Sequence, residues 1–229
     1  MNIVRLIALL IFWIIPLMVS CGGEATSSDS ENLPIVKNLP VLIEDYDANT
    51  GLAGDVDFTH SELGETEKIF LEFNGLLIDG GSGPEGVRLP HFIFNLPPGT
   101  PVYFMTDGTV TFVGLNDNSP DYEVRVTPAG ASAHTATYDH VDNVLVQAGD
   151  AIEAGDQIGE AVENKFEADV ATDDISTCPV DFFDADAADD LKNKLSTLMS
   201  DWEAFKGDTT IYNEEEMYAV GCFSESGDL

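Results

Sequence analysis

The sequence of 229 residues predicts a mainly β protein, a compact antiparallel β domain with an α-helical appendage after it. Three observations predict this. β-rich runs alternate with short turn signals, Asp107-Gly108 in TPVYFMTDGTVTFVG and Pro-Ala-Gly in YEVRVTPAGASAHTATYDHV. The stretch QAGDAIEAGDQIG writes Ala-Gly-Asp twice, six residues apart, so short strands are broken by glycines that accept positive φ. Farther on the apolar period changes to three and four, through Leu191, Leu195, Leu198, Trp202 and Phe205, which is one face of a helix. Length fits one domain with extensions, and 44% hydrophobic residues supply a core.

Residues 1–20 read as a leader. MNIVR carries one positive charge, and LIALLIFWIIPLMV is an apolar run of 14 residues. That is short of the ~20 needed to span a bilayer and fits a signal-peptide core. The run ends in LMVSCGG, which resembles the processing box of bacterial lipoproteins, with Met18 where leucine is usual. The resemblance implies cleavage before Cys21, a diacylglyceryl thioether on it and acylation of its new amino group. Several acyl chains anchor a protein stably in a lipid bilayer. Gly22 in place of Asp implies outer-membrane sorting in a Gram-negative cell, with the periplasmic or surface face left open. An ordinary signal peptide with an incidental Cys21 is the alternative. GGEATSSDSENLP is small, polar and acidic, so residues 21–40 are expected to be a disordered tether.

The β domain is expected over residues 41–175. DYDANTG places Asp45, Asp47 and Asn49 like the start of a calcium loop, but Thr50 and Val56 stand where Gly and Glu are needed. An acidic solvated loop is the competing reading. KIFLEFNGLLI has strand character around Asn74-Gly75, and DGGSGPEG is loop. In residues 176–229, Asp184, Asp186, Asp189 and Asp190 crowd the start of the helix, where its dipole favours them, and Gly207 supplies a stop. With Cys21 lipidated, Cys178 and Cys222 remain in an oxidising compartment, and a disulfide is the simplest reading. It closes a loop of roughly 40 residues, contributes about 4 kcal/mol and staples the helix to the β domain. Neither cysteine has a Cys or His at zinc spacing.

Charge excludes one class of partner. Nine basic against 42 acidic residues give a net charge of -33, which repels phosphate backbones, so no nucleic acid is expected. The acidity serves solubility in a salty medium, or it collects cations such as calcium.

The stretch YDHVDNVLVQAGDAIEAGDQIG resembles lysostaphin-like LytM metallopeptidases, which carry Tyr-x-His, then Val-x-x-Gly-Asp, then Gly-x-x-Ile-Gly. GTPVYFMTDGTVTFVG resembles their preceding hairpin, and the likeness covers about residues 78–170. It implies a small antiparallel β sandwich of the duplicated-hybrid-motif type. Biotinyl and lipoyl carriers use similar glycine turns, but FMTDGTV lacks their lysine.

Active LytM peptidases hold zinc with His-x-x-x-Asp and the second His of a His-x-His, while the Tyr-x-His histidine assists. The resemblance maps these roles onto His91, then Asn95 in place of the Asp, and His140. Ile93 replaces a glycine, and the segment is two residues short before Gly99-Thr100. Anchored on Phe166-Glu167, the His-x-His positions become Glu163 and Lys165. No histidine follows His140, and the four are His60, His91, His134 and His140. A neutral amide and a lysine suit a dication poorly. The expectation is therefore no cofactor, no metal and no catalytic residue, with His91, Asn95 and His140 as remnants and His60 and His134 in exposed loops. The implied role is a non-catalytic binding or regulatory domain at the cell wall, with peptidoglycan, a glycan or an envelope enzyme as partner. One alternative is a divergent metallohydrolase using His91, Asn95 and Glu163 or Asp169. The other is an acidic structural or adhesive surface lipoprotein.

Overall fold

The repeated Ala-Gly-Asp is one turn built twice. In 147–150 and 153–156 the amide of the aspartate donates to the carbonyl of the first residue, Asp150 to Gln147 and Asp156 to Glu153, both at 3.1 Å. Each aspartate side chain then accepts the amide of that same first residue at 2.9 Å. The third position needs positive φ, and Gly149 and Gly155 take +99° and +91°. A computed structural model describes residues 36–60, 66–77, 86–116, 119–162 and 165–224, so Cys21 and Glu163 lie outside the described residues.

In chain order, β1 (Leu52–Ala53) and β2 (Val56–Asp57) pair with each other, and β3 (Phe70–Leu71) joins the main sheet. β4 (Gly75–Leu77) and β5 (Val87–Leu89) form a separate pair. The rest of the main sheet is β6 (Phe92–Phe94), β7 (Pro101–Tyr103), β8 (Gly108–Leu115), β9 (Tyr122–Pro128), β10 (His134–Asp142), β11 (Ala151–Ile152), β12 (Gln157–Ala161), β13 (Phe166–Thr172) and β14 (Ile175–Thr177). Its order is β11-β8-β9-β10-β13-β6-β3, with β12 bridging β10 to β7 and β14 paired to β13. Among the described residues its strand pairs are antiparallel, in keeping with the sequence pattern. Asn74-Gly75 turns the chain as expected, yet β3 and β4 do not pair, because β3 takes β6 and β4 takes β5.

Alternation gives the sheet two faces. Val124, Val126, Ala136, Tyr138, Phe166, Ala168, Val170, Phe92 and Phe94 point into one core. Helix α1 (Ala188–Lys206) closes that core with Leu191, Leu195, Leu198, Met199 and Trp202, each burial contributing roughly 1.5–3 kcal/mol. Gly207 ends α1 in the left-handed region at φ 70°. Phe205, the last residue of the apolar stripe, stays 42% exposed and stacks on Trp202. The tether expectation fails at its end. Val36 and Leu39 are buried, the Val36 amide donates to Phe182 and that of Lys37 to Met105, so order begins at least five residues before residue 41.

The C-terminal segment guards the sheet edge. β3 is an edge strand, and edge backbone groups invite pairing. The Tyr212 hydroxyl donates to the Phe70 carbonyl at 3.0 Å and accepts its amide at 3.3 Å. The Phe73 amide donates to Gly221, and the Phe223 amide to Phe73. The Cys178–Cys222 disulfide is present with its Cα atoms 6.1 Å apart, and it fixes this cover. Beneath it Glu72 is fully buried, with Lys68 Nζ 3.0 and 2.9 Å from its two oxygens.

Replacing Cys178 and Cys222 by serine, which opens a separation of 44 residues, is expected to cost about 4 kcal/mol in urea titrations. The Lys68 contact yields a pH-dependent outcome. Burial raises the Glu72 carboxyl above its usual range, with Lys68 opposing. The folded state therefore takes up this proton at higher pH than the unfolded chain, and the group's stabilising contribution is complete in acid and lost as pH rises through the folded value. Lys68→Met is expected to cost about 3–5 kcal/mol at neutral pH and much less near pH ~4, both read by denaturant titration.

Candidate functional site

The site is organised by one extra residue in β10. Tyr138 pairs with Val124 and Val141 with Tyr122, so β10 carries a bulge between them. On one side β10 pairs with β13 up to Asp139, and beyond the bulge it pairs with β12 from Val141. Strict alternation would send His140 into the core with Tyr138. Instead His140 takes φ +61°, a left-handed conformation uncommon for a non-glycine residue, and turns to the outer face beside Asp139. Tyr138 stays inside, where its hydroxyl accepts the Met105 amide at 2.8 Å. The Tyr-x-His pattern is thus a buried anchor followed by a re-aimed imidazole.

His140 sits in a chain of polar groups. Its Nδ1 lies at hydrogen-bond distance, 2.8 Å, from Asp121 Oδ2. Ser119 donates to the other Asp121 oxygen. On the opposite side Nε2 faces Glu167 Oε1 at 3.8 Å, and Glu167 Oε2 lies 3.5 Å from His91 Nδ1. Asp139 accepts the His140 amide at 2.8 Å and the Asn116 side-chain amide at 3.0 Å. His91 and His140 therefore converge, with a carboxylate between them. Asp121, Asp139 and His140 offer three donor atoms within 4.8 Å of one another.

The zinc implied by the resemblance does not fit the residues present. Asn95 is fully exposed to neither solvent nor groove, at 0%, and both polar atoms of its side chain lack partners. Ile93, in place of the glycine, packs with Leu71 and Leu77 from β3 and β4, with Leu89 against them. This apolar cover lies on the same face of β6 as the Asn95 position. Lys165, just before β13, is exposed and brings a positive charge. A neutral buried amide and an ammonium do not make a dication site.

Asp169 is nine-tenths buried, and its carboxyl is raised above the usual range by burial, while Ser176, His91, Thr137 and Arg125 pull it down. It lines an outer-face groove of about 390 Å³ together with His91 and Arg125. Two histidine expectations are corrected. His134 is not in an exposed loop; it opens β10, is 3% exposed and meets Phe182 edge to face. His60 follows β2 in a bend and is half-buried. In the calcium-like loop Asp47 Oδ1 accepts both the backbone and side-chain nitrogens of Asn49 at 2.8 Å, which makes an Asx turn.

Asp121, Asp139 and Glu167 escaped the sequence reading as site residues. Asp139 was the variable position of Tyr-x-His, and Glu167 served only as an anchor. A bulge has no local signature that announces which side its carboxylates will take.

The family described as peptidase family M23 matches residues 92–171. No curated protein matches the chain. Among solved structures, the solution structure of lysostaphin is 15% identical, with 56% of this chain and 57% of that chain covered, at a TM-score of 0.42. The lysostaphin catalytic domain from Staphylococcus simulans is 19% identical over 44% of this chain and 82% of that one, at 0.38. A zinc-containing peptidase from Vibrio cholerae is 17% identical over 64% and 39%, at 0.41. The chain thus spans a little over half the length of the lysostaphin solution structure. Residues 92–171, which hold the glycine turns and the Tyr-x-His bulge, match peptidase family M23 and form a LytM-like domain.

Proposed function

We propose that this domain is a non-catalytic binding or regulatory module at the cell wall, held at the outer membrane through acylated Cys21. The observation that carries the reading is Asn95, a neutral amide with 0% exposure and no partner, where the family places an anionic ligand. A side chain sealed from solvent cannot share an ion with water or substrate, and three ligands plus an open position are what hydrolysis needs. What remains at the surface is a polar face, with His91, Glu167 and His140 set side by side. Such a face suits recognition. The peptidoglycan on which M23 peptidases act is the partner class the domain's kinship suggests.

A second reading has its own observation. Asp121, Asp139 and His140 hold three donors within 4.8 Å, which a divergent metallohydrolase would use. Glu167 beyond Nε2 would then orient the imidazole, as carboxylates do behind metal-bound histidines.

The two are separated by metal analysis and peptidoglycan digestion on the full chain purified without a histidine tag. The binding reading expects sub-stoichiometric zinc, no release of muropeptides, and co-sedimentation with peptidoglycan sacculi. One zinc per chain, lost in Asp121→Asn together with hydrolysis, would establish the second reading instead. Asn95→Leu adds an independent check. Replacing an unpartnered buried amide by an apolar group is expected to raise stability by about 1–3 kcal/mol in urea titrations, with sacculus binding unchanged. Loss of sacculus binding in that variant would place Asn95 in the site.

A further inference from the structure

Helix α1 carries two stripes. Leu191, Leu195, Leu198 and Trp202 close the core, and Asp190, Lys194, Thr197, Asp201 and Phe205 recur beside them at steps of four and three. This second stripe forms a seam with residues 42–46, the segment that precedes β1. The Tyr46 amide donates to Asp201 at 3.0 Å, and the rings of Tyr46 and Phe205 meet at 5.7 Å. Nearer the start of the helix the seam opens into two cavities of about 290 and 310 Å³, and Ile43 and Lys194 line both. The seam lies on the helix side of the sheet, away from the outer face that holds His91 and His140.

The seam is apolar at its ends and acidic between them. Leu42 is 45% exposed and lines the first cavity with Tyr103, while Phe205 is 42% exposed at the other end. Glu44 and Asp45 stand between Leu42 and the Tyr46–Phe205 contact, and both are exposed. They line the second cavity with Asp190, which holds Lys194 at 2.9 Å. Among the described residues no cation pairs with Glu44 or Asp45. Burial holds the neighbouring Asp55 carboxyl above its usual range, the Leu42 backbone opposes this, and the charge of Glu44 adds to it. The protein's own cations thus leave the negative potential of the seam unrelieved.

We infer that this seam docks a basic amphipathic segment of a partner protein, with apolar side chains seated on Leu42 and Phe205 and lysine or arginine side chains between them facing Glu44 and Asp45. From Lys194 to Phe205 the helix rises about 16 Å, which matches about three turns of a partner helix. The exposed apolar ends supply contact area, and the carboxylates select the sign of the partner's charge. A second copy of the chain is disfavoured, because it brings a net charge of -33 and the same carboxylates. An anionic lipid surface is repelled for the same reason.

The test is fluorescence anisotropy of a labelled Leu-Lys-Lys-Leu peptide, repeated four times in sequence, titrated with the purified full chain. The glutamate counterpart, Leu-Glu-Glu-Leu repeated likewise, is the second arm. Saturable binding of the lysine peptide is expected, weakened about tenfold or more in the double variant Glu44→Gln, Asp45→Asn and in Leu42→Ser. The control variant Glu214→Gln, Glu215→Gln removes the same charge from another exposed segment, and it is expected to bind like the unaltered chain. Leu42, Glu44 and Asp45 are exposed, so unchanged melting is expected, and a fall in the Leu42 variant leaves the charge pair to decide. Equal weakening in the control variant, binding indifferent to the seam substitutions, or binding of the glutamate peptide would overturn the inference. The seam variants are expected to sediment with sacculi like the unaltered chain, so failure of docking and failure of the cell-wall reading are read separately.

Discussion

The outer face of this protein depends on a single inserted residue in β10. Without the bulge between Tyr138 and Val141, strict alternation would turn His140 to the same side as Tyr138. With it, β10 changes partner from β13 to β12 at the same point where the imidazole emerges. Positive φ at a histidine costs free energy, and the surrounding sheet supplies it. Tyr138 is locked inside by the Met105 amide, and the Asp139 carboxylate accepts the amide of His140 itself.

What the bulge presents is a chain of imidazoles and carboxylates set against one another. A dication needs anionic or imidazole ligands around an open centre. Here a carboxylate, Glu167, occupies the space between His91 and His140, and Asp121 holds the far side of His140. Beside them Ile93 joins Leu71 and Leu77 in a small apolar cluster. Asn95, two residues on, is likewise sealed from solvent, and its side chain has no hydrogen-bond partner.

The C-terminal appendage acts on the sheet rather than on the site. Its helix closes the core, and its tail satisfies backbone groups of β3 through Tyr212 and of Phe73 just beyond β3 through Gly221 and Phe223. The disulfide ties that tail to the residue that follows β14.

Much of the fold was legible in the sequence because it rests on local rules. Gly149 and Gly155 announce their turns, since only glycine takes that φ freely, and the Leu191–Trp202 stripe announces its helix face. The cysteine pair followed from counting, and the Tyr-x-His and glycine patterns pointed to the M23 kinship. Other features were settled by contacts between distant segments. Val36 and Leu39 lie in a polar-looking tether but are buried by β7 neighbours and Phe182, and His134 is buried by the same segment. The outer-face groove that joins Arg125, Thr137, Asp169 and His91 is invisible in the chain, because its members are up to 78 positions apart and are brought together by pairing across the sheet. Local conformational preference is written residue by residue. Which carboxylate faces which imidazole depends on pairing across the sheet, where one inserted residue inverts the side on which a side chain appears.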